Sequence, residues 1–190
     1  MNYGVYQNVR NASWQCIIDC KINSLPVPIS HICELYGGKT VNNSDVHILQ
    51  GRQSGRIIVD GNEFSVVVND DECIQRIRFT IAHELGHYLL GHLGSDIINL
   101  NREYKNIKPA QETEADMFAA RLLAPACVLW GINAQTAEQI ATVCSISHEA
   151  AAIRAERMKV LRKRGKFLTS PLEQRVYKQF EDYIKNNHLM

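Results

Sequence analysis

The sequence predicts an α+β fold: a small antiparallel sheet of about three strands packed against a mainly helical core, with a C-terminal helical segment. Three observations carry this. Arg56-Ile57-Ile58-Val59 and Glu63-Phe64-Ser65-Val66-Val67-Val68 flank Asp60-Gly61-Asn62, a hairpin with turn residues at its centre. Ile74, Ile77, Ile81, Leu85 and Leu89 then follow at spacings of three and four, the period of an amphipathic helix. From Pro109 onward helical patterns dominate, punctuated by Pro125, Cys144-Ser145-Ile146-Ser147 and Ser170-Pro171.

Each element has a local reason. Residues 8–20 read as a first helix, with Val9, Trp14, Ile17 and Ile18 as candidate core residues. Leu25-Pro26-Val27-Pro28 stops it and opens a second helix, Ile29 to Tyr36, closed by Gly37-Gly38. Val41 begins a short edge strand. A hairpin cannot stand alone in water, so it needs this third strand and a covering helix, and the helix over residues 74–90 follows it directly. Asp70 or Asp71 is a candidate cap for that helix, and Gly91 its stop. Residues 92–108 read as a loop. Pro109 opens a third long helix that Pro125 ends. Two short helices over residues 135–160 follow, the second with Ser147 as N-cap, and then a last amphipathic helix with Val176, Tyr177, Phe180 and Ile184.

Composition excludes several classes. The chain of 190 residues is 45% apolar and 22% charged, as expected of a soluble globular protein with one sizeable core. A net charge of +1 exerts no global pull on nucleic acid or membrane. The charge is uneven, however. Residues 154–166 hold seven basic residues against Glu156, so the rest of the chain is about five charges negative. No basic and apolar leader opens the sequence and no apolar run approaches eighteen residues, so a cytoplasmic location without membrane contact is expected. The six cysteines form no CxxC pair and read as reduced, buried thiols.

His83-Glu84-Leu85-Gly86-His87 carries the chemistry. Two histidines four residues apart on a helix can reach one metal ion, and Glu84 then stands where a general base is needed. Catalytic zinc usually takes a third protein ligand and leaves one position open. The helix after Pro109 offers Glu112, Glu114 and Asp116. Glu114 shares a side with Phe118, Arg121 and Leu122; Glu112 lies about 200° away with Asp116, Ala119 and Leu123. Both sides carry apolar residues, so periodicity does not choose between them. A negatively charged first turn also suits the helix dipole without any metal.

The stretch Arg78-Phe79-Thr80-Ile81-Ala82-His83-Glu84-Leu85-Gly86-His87-Tyr88-Leu89-Leu90, followed by Glu112-Thr113-Glu114-Ala115-Asp116-Met117-Phe118-Ala119-Ala120-Arg121-Leu122-Leu123-Ala124-Pro125, resembles the ImmA/IrrE family of zinc metallopeptidases. Its pattern is an HExxH helix and a later ExEAxxFAxxLLxP helix; Ala124 stands where the family often has Met. The resemblance implies a zincin-like core over residues 1–128 and a helix-turn-helix-like segment over 129–190, packed on that core. It implies one Zn²⁺ per chain held by His83, His87 and Glu114, the last being the Glu directly before Ala in the second motif. Asp116 is then placed to orient a ligand histidine through its ring N–H, and Glu112 is the fallback ligand. Glu84 is the general base, and Tyr88, His92, Tyr104 and His148 are candidates for stabilising the oxyanion.

Such an enzyme makes a site-specific cut in a partner protein, and the resemblance implies a helix-turn-helix repressor of a phage or mobile element. The competing expectation is a DNA- or protein-binding regulator, or a toxin–antitoxin component, with a zinc site that does not turn over. Its basis is Ala137 to Met158, which scans as helix-turn-helix, followed by the basic run at 154–166, a candidate for weak DNA contact.

Overall fold

A computed structural model describes residues 3–61, 63–93 and 109–189. The chain forms two compact units, Met1–Val9 with Ile29–Ala119 and Arg10–Pro28 with Ala120–Met190. The first helix, α1 (Tyr3–Asp19), begins earlier than its apolar pattern indicates, and Ile18 is only half-buried while Ser13 and Cys16 are buried.

The first unit holds α2 (Ile29–Leu35), β1 (Gly38–Asn42), α3 (Asn43–Val46), β2 (Gly55–Asp60), β3 (Glu63–Val68), α4 (Ile74–Leu89) and most of α5 (Pro109–Leu123). The sheet order is β1-β3-β2. β2 and β3 pair antiparallel, with Ile57 opposite Val66, as the hairpin signal predicts. β1 pairs parallel to β3, with Gly38 opposite Phe64, so the sheet is mixed rather than purely antiparallel. The reason is the central strand. Phe64, Val66, Val67 and Val68 are all buried, so β3 needs a neighbour on each side. The hairpin gives it β2 on one side, and β1, which precedes the hairpin and leads into it through α3, covers the other. Turn residue Asn62 lies outside the described residues.

α4 covers β2 and β3 through Ile81, Ala82 and Leu85, all buried. Fully burying each large apolar side chain contributes roughly 1.5–3 kcal/mol. Neither expected aspartate caps α4. Its N-cap is Cys73, with no side-chain hydrogen bond, and the Asp70 carboxylate instead accepts from the Ser44 N–H at 2.9 Å. Cys73 is therefore exposed, unlike the buried Cys16, Cys33, Cys127 and Cys144, and no disulfide forms.

The second unit is helical: α6 (Ala126–Gly131), α7 (Ala137–Cys144), α8 (His148–Lys163), α9 (Pro171–Gln179) and α10 (Glu181–Asn186), with the later part of α1. α6 has no counterpart in the sequence reading, and the expected last helix is broken in two at Phe180. Thr136 and Gln139 form a reciprocal capping box on α7, and Ser147 caps α8 as predicted. Ile17, Cys127, Leu129, Ile132, Ile140, Met158, Val176 and Phe180 make this unit's core. No helix among the described residues is long and apolar enough to cross a membrane.

Candidate metal centre

The site lies within the first unit. His83 and His87 are one turn apart on α4, so their rings meet edge to face along one side with Nε2 atoms 3.0 Å apart. Leu85, between them, points into the core and sets the rotation of the helix. Gly86 sets how close α5 approaches: a Cβ there would lie 3.1 Å from Phe118 Cδ1 and 3.3 Å from Ala115 Cα. With the helices this close, the Glu112 carboxylate reaches both imidazoles. Its Oε2 is 3.3 Å from His83 Nε2 and its Oε1 is 3.6 Å from His87 Nε2. With the 3.0 Å between the two Nε2 atoms, these separations bracket the edge of about 3.3 Å of a tetrahedral site with zinc bonds near 2.0–2.1 Å. Among the described residues, His83, His87 and Glu112 form the group whose donor atoms gather within 4.8 Å of one another.

Glu114 is turned elsewhere, with its Oε2 3.3 Å from His92 Nε2. The acid that the structure brings to the two imidazoles is thus the fallback, Glu112. The reason is helical geometry. Asp116 Oδ1 lies 2.8 Å from His83 Nδ1, and Glu112 is one turn before Asp116 on the same side. Glu114, two residues from each, projects about 200° away. The i, i+4 spacing of Glu112 and Asp116 was the signal that separates the two glutamates.

The proton positions follow from the acceptors. A carboxylate only accepts, so His83 Nδ1 donates to Asp116, and in the neutral ring the lone pair is at Nε2. Burial opposes charge on His83, but the Asp116 hydrogen bond and the charges of Glu84, Asp116 and Glu112 outweigh it and raise its pKa. His87, 2% exposed, is pushed down to about 4 by burial and by the neighbouring His83 and His92, so it is neutral. Its Nε2 faces His83 Nε2 and Glu112. With both rings neutral, the two Nε2 atoms and the Glu112 carboxylate are three donors that together suit a cation.

Glu84 lies beside them, its Oε2 accepting from the Ile57 N–H of β2 at 3.1 Å. Burial lifts its pKa above the ordinary range; the His83 charge and the Ile57 hydrogen bond work against that rise, and Glu112 adds to it. Of the oxyanion candidates, Tyr88 packs on Phe64 at 4.4 Å between ring centroids, His92 has both nitrogens engaged, and His148 pairs with Glu138 at 3.1 Å. Tyr104 lies outside the described residues. In the basic run, Arg154 donates to the Ala124 carbonyl, Arg162 to the Ala134 carbonyl at 2.9 Å, and Lys159 pairs with Glu156.

Residues 49–156 match the model of the peptidase family M78, described as an IrrE N-terminal-like domain. The chain belongs to this family. The M78 match takes in β2, β3, α4 and α5, and with them His83, Glu84, His87, Glu112, Glu114 and Asp116. M78 membership points to metallopeptidase chemistry, which suits a cluster of two imidazoles and a carboxylate beside a half-buried glutamate. No curated protein matches the chain.

Proposed function

We propose that this M78 member is a zinc-dependent endopeptidase in which His83, His87 and Glu112 hold the metal and Glu84 moves the proton. The observation that supports this best is the convergence of two imidazole Nε2 atoms and an acceptor-only carboxylate at separations of 3.0, 3.3 and 3.6 Å. When bound there, zinc supplies a Lewis acid that polarises a peptide carbonyl and lowers the pKa of water toward about 7. Asp116 holds the His83 ring by its Nδ1–H and keeps Nε2 turned to the site. Glu84 is anchored through one oxygen by the Ile57 N–H, leaving the other free to take a proton from water and return it to the leaving amine. A carboxyl group with a raised pKa suits both halves of that exchange.

The proposed substrate is one partner protein, a helix-turn-helix repressor of a phage or mobile element, cut at a single site. Support for it comes from the family resemblance of the two helical motifs. The test is co-expression with the product of the neighbouring gene, which this reading expects to be a helix-turn-helix repressor. Wild type cleaves it once; Glu84→Gln keeps zinc and fold and loses roughly 10²–10⁴-fold in cleavage rate. Equal cleavage by wild type and Glu84→Gln defeats the mechanism. α7 and α8 do form two helices joined by a short turn at Ser145. If the chain instead cleaves nothing but binds duplex DNA, with an affinity that falls steeply with salt and on neutralising Lys163 and Arg164, it is a regulator.

A further inference from the structure

His87 is the more buried of the two histidines, and its second nitrogen is served in a different way from that of His83. α4 ends in a Schellman motif. Gly91 sits at φ 70°, its N–H donating to the Tyr88 carbonyl at 3.2 Å and the His92 N–H to the His87 carbonyl at 3.0 Å. That motif sets the residue after the glycine beside the one five positions earlier. His92 is thereby laid against His87, their Nδ1 atoms 3.0 Å apart. On the far side of the His92 ring, Nε2 meets Glu114 Oε2 at 3.3 Å. The His92 side chain is 5% exposed, so water does not compete for its nitrogens.

The order of protons along this chain follows from its end. The Glu114 carboxylate accepts, so His92 Nε2 carries the hydrogen. In the tautomer with one ring hydrogen, His92 then has its lone pair at Nδ1 and accepts from His87 Nδ1–H. His87 is left with its lone pair at Nε2, the atom that faces His83 and Glu112. We propose that Glu114 and His92 are a two-residue positioning relay that sets the tautomer and ring plane of His87 for metal binding. His83 receives the same service from Asp116 in one step. Glu114 thus acts on the metal site through His92 and does not touch the ion. The inference rests on the zinc reading above.

Two measurements on the full-length protein test it. Long-range ¹⁵N–¹H NMR of the metal-free form reads each imidazole tautomer directly. The expected result is His87 as Nδ1–H and His92 as Nε2–H; His87 as Nε2–H overturns the relay whether or not zinc binds. Zinc affinity, measured by competition with a chromophoric chelator, is the second. Glu114→Met and His92→Phe each weaken binding by about 10–100-fold, and the double variant is no weaker than His92→Phe alone. Glu114→Gln keeps an acceptor oxygen and retains most of the affinity, which a direct ligand would not. Losses that multiply in the double variant, or Glu114→Met binding within twofold of wild type, overturn the relay. Failure of the zinc reading looks different: wild type binds no zinc, or Glu112→Gln binds it unchanged. Thermal melts of the metal-free variants show that each is folded.

Discussion

Glu112 and Glu114 are separated by one residue yet meet different partners, because successive residues on a helix are turned about 100° from each other. Burial is decided as locally. Glu173 sits in the first turn of α9, its backbone N–H donating to the Ser170 hydroxyl at 3.2 Å and its own carboxylate accepting from the Thr169 N–H at 3.1 Å. It is nevertheless only 4% exposed, and burial raises its pKa against the opposing hydrogen bonds from Thr169 and Leu168 and the Arg10 charge. A raised folded-state pKa means the native protein holds this proton to higher pH than the unfolded chain does. Its stabilising contribution is complete below the unfolded value of about 4.3 and is lost as pH rises through the folded value. Glu173→Gln removes that dependence. The melting temperature of the variant relative to wild type is expected to climb between pH 4 and pH 8; a flat or falling difference in thermal melts contradicts the assignment.

At the scale of elements, the site depends on how closely α5 lies against α4. Gly86 permits this contact: its missing side chain leaves room for Phe118 and for the backbone at Ala115. The neighbours a Cβ would meet are joined to the α5 backbone, so Gly86→Ala must push the helix rather than rotate a flexible side chain. Overpacking of this kind costs about 1–3 kcal/mol, offset by up to about 1 kcal/mol of helix propensity. The larger effect is on the metal. Moving α5 by a few tenths of an ångström carries Glu112 and Asp116 away together, and zinc affinity falls by an order of magnitude or more. Chelator competition reads the affinity and a urea melt reads the stability; unchanged zinc binding in a stable Gly86→Ala protein argues against this role for the glycine.

For the molecule as a whole, zinc would join two helices that are distant in sequence, and binding to the folded state alone makes stability depend on metal. At zinc about 100 times its dissociation constant the gain is about 2.7 kcal/mol, or roughly 5–10 °C in melting temperature for a chain of this size. Wild type and Glu84→Gln are expected to show this shift on adding zinc and to lose it with a chelator; Glu112→Gln shows little of it. Calorimetry with and without metal decides, and an equal shift in Glu112→Gln would mean that zinc is held elsewhere. The second unit, built on its own core of Leu129, Ile132, Phe180 and their neighbours, supplies none of the three residues gathered around the metal position.

Periodicity, turn residues and caps depend on neighbours within a few positions, and those were legible. The β2–β3 hairpin, the α4 stripe, the Ser147 cap and the HExxH pair all appear in the structure where the sequence places them. Helical phase also linked Glu112 to Asp116, although the family motif drew attention to Glu114. What one-dimensional order did not contain was distance between elements. The parallel pairing of β1, the break at Phe180 and the contact of His92 with Glu114 each depend on how separate segments pack. The sequence by itself determined which side chains share a face and which chemistry they bring. Only the tertiary structure decided which carboxylate meets the imidazoles, because that choice is made by which side of α5 is turned to α4.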